Sequence, residues 1–178
     1  MFGLLRMLAR VLAGKVEVQE FSLGIYFGVW LGLMPVADVQ DGTGWLGLST
    51  SWLAVLLLFL VLKASIPLGL LAMGLAKLAG IAFLDPVSWS VGRALLENVL
   101  PEGFGRFCYE RLPSAQLHTY WGLGAMLTGP LLALLAAVPM HWYLSRKLPA
   151  WRERFSGLLV VRGMQNSVVM KALGWWLE

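Results

Sequence analysis

Among the residues able to do chemistry, five stand out because they lie in or beside long apolar stretches: Asp38, Gln40, Asp41, Lys77 and Asp85. A charged side chain in an apolar environment costs free energy unless it is paired or faces water, so such residues mark ion pairs, polar paths or binding pockets. Lys77 has two readings. It snorkels to a polar surface, or it pairs with Asp38, Asp41 or Asp85 inside a bundle and lines a polar pocket. Asp85 also reads as a helix cap, because Pro86 follows it at a first helical position. Asp38, Gln40 and Asp41 follow Pro35 at the end of an apolar run and form the first candidate polar site with it.

No catalytic constellation accompanies them. His118 and His141 lie at opposite ends of one apolar stretch and lack metal-ligand spacing. Ser49, Thr50 and Ser51 lack the strand-turn-helix setting of a nucleophile elbow, and GTGWLG at 42–47 lacks the GK[ST] of a phosphate loop. The one cysteine, Cys108, excludes an intrachain disulfide. The sequence therefore predicts no enzyme, no metal and no cofactor.

The elements that must position these residues are apolar. Of 178 residues, 58% are hydrophobic and 13% charged, against about 45–50% and about 25% in soluble domains. Lipid accepts such a surface, provided that helices or a closed barrel satisfy the backbone. Continuous Leu/Ala/Gly/Val runs without period-two alternation favour helices. The expected fold is an all-α integral membrane protein with three to four transmembrane helices. The net charge of +4 gathers near the two ends of the chain, as membrane anchors do, and not in a nucleic-acid footprint.

Four apolar segments follow. Residues 21–36, glycine-rich, make about 24 Å of helix against about 30 Å of hydrocarbon, so this segment either crosses marginally or re-enters. Residues 43–62 give the clearest span, and residues 64–84 follow after Lys63, carrying Pro67 early and Lys77 inside. Residues 117–144 form the last, with a break or kink expected at Pro130 and Pro139. Between these, a helix from Pro86 places Val87, Val91, Leu95 and Val99 on one face and Arg93 and Glu97 at i, i+4. Residues 101–116 read as a polar connection. Trp89, Trp142 and Tyr143 resemble interfacial aromatics.

The chain reads as a single membrane domain, 1–178. Residues 1–20 form an interfacial helix with Leu4, Leu5, Leu8, Val11 and Leu12 opposite Arg6 and Arg10. They lack the uninterrupted core of a cleaved signal peptide. Residues 21–144 form the bundle, and residues 145–178 a basic, amphipathic tail. Arg146, Lys147, Arg152 and Arg154 assign that tail to the cytoplasm. Four crossings with both termini inside fit the charges; a re-entrant first segment makes three.

Gly24, Gly28 and Gly32 recur every four residues and form one groove along a helix, allowing close backbone approach. Ala72, Ala76 and Gly80 make a second small-residue track, and Ala125, Gly129, Ala133 and Ala137 a third. These tracks dock helices of one bundle or form a seam between copies.

The stretch GIYFGVWLGLMPVADVQ resembles the signature of small bacterial membrane proteins catalogued as domain of unknown function 2062. That pattern has spaced glycines, a proline and, five residues later, Gln or His, matched here through Gly24, Gly28, Gly32, Pro35 and Gln40. Many members have Gly or Ser where this chain has Asp38. An Asn-Pro or Asp-Pro after the third apolar segment is matched by Asp85-Pro86. The resemblance covers residues 1 to about 155 and is closest to the branch with an added last span and basic tail. It implies the inner membrane of bacteria that have an outer membrane, and a gene often beside that of a larger envelope protein. The family has no established activity.

Two functions follow as expectations. The first is a non-enzymatic subunit anchoring or assisting a larger cell-envelope complex, including one that moves lipid, with the bilayer and either that protein or further copies as partners. The second is a small oligomeric transporter or channel whose polar path is Asp38, Gln40, Asp41, Lys77 and Asp85.

Overall fold

The computed structural model describes residues 17–37 and 47–156, the last six by their backbone alone. The interfacial helix expected within 1–20, the residues Asp38, Gln40 and Asp41, and most of the tail lie outside the described residues. What is described is mostly helical, without strands. Contacts divide the chain into two compact units, Gln19–Met140 and Met1–Val18 with His141–Glu178.

Helix α1, Val18–Leu33, opens the first unit. It stops before Pro35 because a residue preceding proline is crowded out of the helical region. Helix α2, Thr50–Val61, is shorter than the apolar run suggests. Its 12 residues reach about 18 Å. That is well under a bilayer core of about 30 Å, so the expected clearest span is not a full-length one. Leu62 turns extended and the chain reverses through Ser65, whose N–H reaches the Glu20 carbonyl at 3.0 Å. Lys63 thus marks a tight hairpin.

Helix α3, Ile66–Ala79, starts with Pro67 in its first turn and does not end at Asp85. A widened turn, Gly80–Leu84, joins it to α4, Asp85–Ala94, and a second, Leu95–Val99, completes 34 continuous helical residues. The expected cap at Asp85 is therefore corrected. The Asp85 N–H bonds the Gly80 carbonyl five residues back, and Leu84 is itself helical with no side-chain cap. Pro86 has no N–H and crowds the carbonyl four residues before it. A turn with five-residue bonds relieves that conflict without ending the helix.

Within the expected polar connection lies helix α5, Phe104–Arg111, entered through Gly103 at φ 95°. A 3₁₀ turn, Pro113–Ala115, follows and ends at Gln116, φ 58°. Helix α6, Tyr120–Ser156, then runs 37 residues without the expected break at Pro130 or Pro139. Two helical stretches, Ile66–Val99 and Tyr120–Ala150, are long and apolar enough to cross a membrane.

The core of the first unit is aromatic and aliphatic: Phe27, Leu31 and Met34 from α1 meet Val55 and Phe59 from α2, with Met73 and Met126 against them. The glycine track of α1 faces α3. A Cβ on Gly24 would stand 2.8 Å from the Ser65 carbonyl oxygen, and one on Gly32 would stand 2.5 Å from that of Met73. Gly28 lies in the same way on Gly69 and on Ala72, whose Cβ would be 2.8 Å away. Gly32 meets the Ala76 Cβ, also at 2.8 Å. Residues rise together along both helices, so α1 and α3 run parallel. Gly28 and Gly32 of the first track thus meet Ala72 and Ala76 of the second within one chain, whereas Gly80 lies outside this seam. Of the third, Ala125, Ala133 and Ala137 are buried and Gly129 lies against the Trp30 ring.

Candidate functional site

The carboxyl end of α1 leaves carbonyls without helical partners, and three other elements supply donors to this end of the chain. The Leu31 carbonyl would accept from residue 35, but Pro35 has no N–H. The Trp52 indole of α2 donates to it instead, at 3.1 Å. Lys77 of α3 donates to the Met34 carbonyl at 3.4 Å, a long hydrogen bond, and its ammonium lies 5.1 Å from the centre of the Trp121 ring. A cation is favoured there, since a helix carboxyl terminus carries partial negative charge, and the indole face adds a cation–π attraction. Gln116 donates from its side-chain amide to the Ala37 carbonyl at 2.8 Å. Ala37 pairs with Leu48, and the Ser49 N–H bonds the Val36 carbonyl at 3.0 Å. Residues 37 and 48 are thereby held together as the neck of the segment between them.

Of the pairings expected for Lys77, the one with Asp85 is not made, and those with Asp38 and Asp41 fall outside the described residues. Among the described residues Lys77 makes no ion pair, and its half-buried ammonium serves a backbone carbonyl rather than Asp85. The Asp85 carboxylate turns back over Gly80, with one oxygen 3.1 Å from where a Cβ there would stand. Gly80 also lies beside Leu33. Pro35 is fully buried. Of the expected polar site, then, Lys77 and Pro35 belong to the collar, Asp85 belongs to the wide turn, and Asp38, Gln40 and Asp41 are not described.

Hydroxyl groups lie beside the collar. Ser49 and Ser51 share a bond of 2.9 Å, and Thr50 meets Ser114 at 3.3 Å, which ties the start of α2 to the 3₁₀ turn. The His118 ring sits edge-on to Tyr109 at 5.2 Å, and neither of its nitrogens has a hydrogen-bond partner among the described residues. No group of three or more His, Cys, Asp or Glu is placed to hold a metal among the described residues. Cys108 is buried in α5, and desolvation raises its thiol above the ordinary value.

Sequence reasoning missed a second junction, where α4 crosses α6. A Cβ on Gly92 would run into the Tyr120 carbonyl, and one on Gly124 into the Ser88 carbonyl. Each helix lays a glycine against the other's backbone, and the pairing order makes them antiparallel here. Thr128 donates to the Gly124 carbonyl at 2.8 Å, so Ser88 donates across the crossing to the Thr128 hydroxyl at 2.9 Å. Both side chains are buried. The signal available in the sequence was Ser-x₃-Gly at 88 and 92 and Tyr-x₃-Gly-x₃-Thr at 120, 124 and 128.

The close approach carries a side-chain cluster with it. The expected Arg93–Glu97 pair forms, with the Arg93 Nε 3.0 Å from Glu97 Oε2 and 3.1 Å from Oε1. The Tyr120 hydroxyl donates to Glu97 Oε1 at 2.9 Å. The Arg93 guanidinium lies 5.5 Å from the centre of the Trp89 ring, which meets Tyr120 edge-on at 5.5 Å. Four residues on two helices thus converge at an exposed edge.

Neither site pairs a nucleophile with a base among the contacts described above; what the collar does is hold ends of chain in place. No protein-family model, curated protein or solved structure matches this chain.

Proposed function

We propose that this protein resides in the bacterial inner membrane and works as a non-enzymatic subunit that anchors or assists a larger envelope protein, of the class that moves lipid or maintains the envelope. The observation that carries the membrane part is the exposure of large apolar side chains along both long helices. Leu75, Leu78, Ile81 and Phe83 on one, and Leu131, Leu134, Leu135 and Val138 on the other, are all exposed, Phe83 to 77% and Leu135 to 70%. Water does not tolerate so extensive an apolar face on a monomer, whereas hydrocarbon does. A soluble core helix would be mostly buried, but the most apolar windows of these two are 17% and 39% buried. Beyond the apolar part of α6, Arg146 stacks on Trp142 at 3.7 Å, the pairing of cation and aromatic found at headgroup level.

In this reading the long helices cross, and α1 and α2 enter as a shorter pair, giving three to four spans with the basic tail on the cytoplasmic side. The inner membrane and the envelope partner rest on the resemblance in residues 24–40 and at Asp85-Pro86 and on the charge bias. The transporter reading draws less support, because Lys77 and Asp85 serve different partners.

Purification of the tagged full chain from its native host in mild detergent tests the subunit reading. The expected result is a larger envelope protein recovered in stoichiometric amount. Recovery of this chain alone, with its membrane association intact, would sink it.

A further inference from the structure

Arg93 has five N–H donors, and only the Nε donor is taken up by Glu97. Its two Nη groups have no hydrogen bond among the described contacts, and the side chain is 53% exposed. The guanidinium is nevertheless held in place. Glu97 grips it from the next turn, the Tyr120 hydroxyl fixes Glu97, and the Trp89 ring lies to one side. That arrangement exists because Gly92 lets the start of α6 approach α4 at backbone distance. A fixed guanidinium with outward, unengaged donors suits a phosphate, which it can take with two parallel hydrogen bonds.

The surroundings select which phosphate. Along the same continuous helix, the large exposed residues before Arg93 are apolar, from Ile66 through Leu70, Leu75, Ile81 and Val87 to Trp89, and no charged residue among them is exposed. After it exposed charges appear, Glu97, Glu102, Arg106 and Glu110, interleaved with exposed Val99, Phe107 and Tyr109. Arg93 therefore stands where an acyl-compatible surface gives way to a charged one, with an aromatic ring at the boundary. We infer that Trp89, Arg93, Glu97 and Tyr120 form a binding site for a phospholipid headgroup, in which Arg93 takes the phosphodiester while the acyl chains follow the apolar face below Trp89. Glu97 and Tyr120 are positioning residues. They hold the guanidinium and do not touch the phosphate.

This inference rests on the membrane reading, and the experiment separates the two. The full chain is first washed in its membranes with alkaline carbonate; release into the soluble fraction would overturn the membrane reading and this site with it. If the chain is retained, the detergent-purified protein is titrated with phosphatidylethanolamine and phosphatidylglycerol, and bound lipid is counted by native mass spectrometry. Arg93→Gln is expected to weaken phospholipid retention by roughly tenfold or more, the scale of losing charge-assisted hydrogen bonds. Tyr120→Phe, which removes one hydroxyl and keeps the ring, is expected to weaken it less while leaving the melting temperature near wild type. Arg93→Lys is expected to retain part of the binding. Equal retention by wild type and a folded Arg93→Gln would overturn the site. Should that variant fail to fold, equal retention by wild type and Tyr120→Phe would overturn it as well. Inorganic phosphate should not displace the lipid at concentrations comparable to it, and efficient displacement would make this a free-phosphate site instead.

Discussion

At the scale of single residues, the absence of a side chain carries as much weight here as its presence. Gly92 lies on the Tyr120 carbonyl, where a methyl group has no room and the neighbour is backbone. Gly92→Ala should destabilise the fold by about 3 kcal/mol or more, the upper end of overpacking effects. Gly74 is the control, since nothing lies within 4 Å of a Cβ added there. Gly74→Ala should be neutral or should stabilise by up to about 1 kcal/mol, because alanine is the better helix former. Thermal unfolding of both variants in the same detergent checks the pair, and a Gly92 variant as stable as the Gly74 one would refute the tight crossing. Trp52 offers a polar counterpart. Trp52→Phe keeps most of the ring but strands the Leu31 carbonyl, whose helical donor is missing at Pro35. A loss of about 1–3 kcal/mol is expected in the same assay, the cost of an unsatisfied buried acceptor.

At the scale of elements, helix α5 makes the most direct prediction. Its outer face carries the Arg106–Glu110 pair at 2.8 Å, and its inner face buries Cys108. Burial disfavours the thiolate, so the folded thiol titrates above its ordinary value. The stability this contributes is fully present below the ordinary thiol pKa and is lost as pH rises above it. Maleimide labelling of Cys108 should be slow at pH 7 in the folded protein and rapid once it is unfolded. Equal rates in the two states would show that α5 does not seal its inner face. The elements also show what the sequence could and could not reveal. The end of α1 was legible because Pro35 acts locally, and so was the i, i+4 pair of Arg93 and Glu97. Asp85-Pro86 misled, since the same dipeptide that starts a helix can sit inside one when a wide turn takes up the missing bond. Pro130 and Pro139 likewise sit inside α6 without ending it, so of the break or kink expected there the break is absent. Gly92 and Gly124 were illegible for a different reason. Each is one glycine among 20, and only the register of two helices distant in sequence decides which of them touch. The donors of the collar were hidden likewise, because Trp52, Lys77 and Gln116 converge from three separate segments.

At the scale of the whole molecule, the membrane location proposed above rests on the exposed apolar faces of Ile66–Val99 and Tyr120–Ala150. Alkaline carbonate should leave the chain in the membrane pellet. A cysteine introduced ahead of α1 as Glu17→Cys, in a Cys108→Ser background, should label with a membrane-impermeant maleimide from the same side as the basic tail if α1 crosses. Labelling from the side opposite the tail would make the first segment re-entrant and reduce the crossings to three. The parallel docking of α1 on α3 adds a constraint of another kind. Its three glycines oppose Ser65, Gly69 and Met73 at matching four-residue intervals, so the seam is toothed. One helix cannot creep along the other by a fraction of a turn without driving backbone into side chains. The next offset that seats glycines against carbonyls lies a full four residues away, about 6 Å along the axis, and would leave one of the three teeth unmatched. The pair can therefore be assembled in a few discrete offsets, of which the one observed engages all three. Inserting or deleting a single residue between Gly24 and Gly32 would turn the remaining teeth by about 100° and leave no offset that fits.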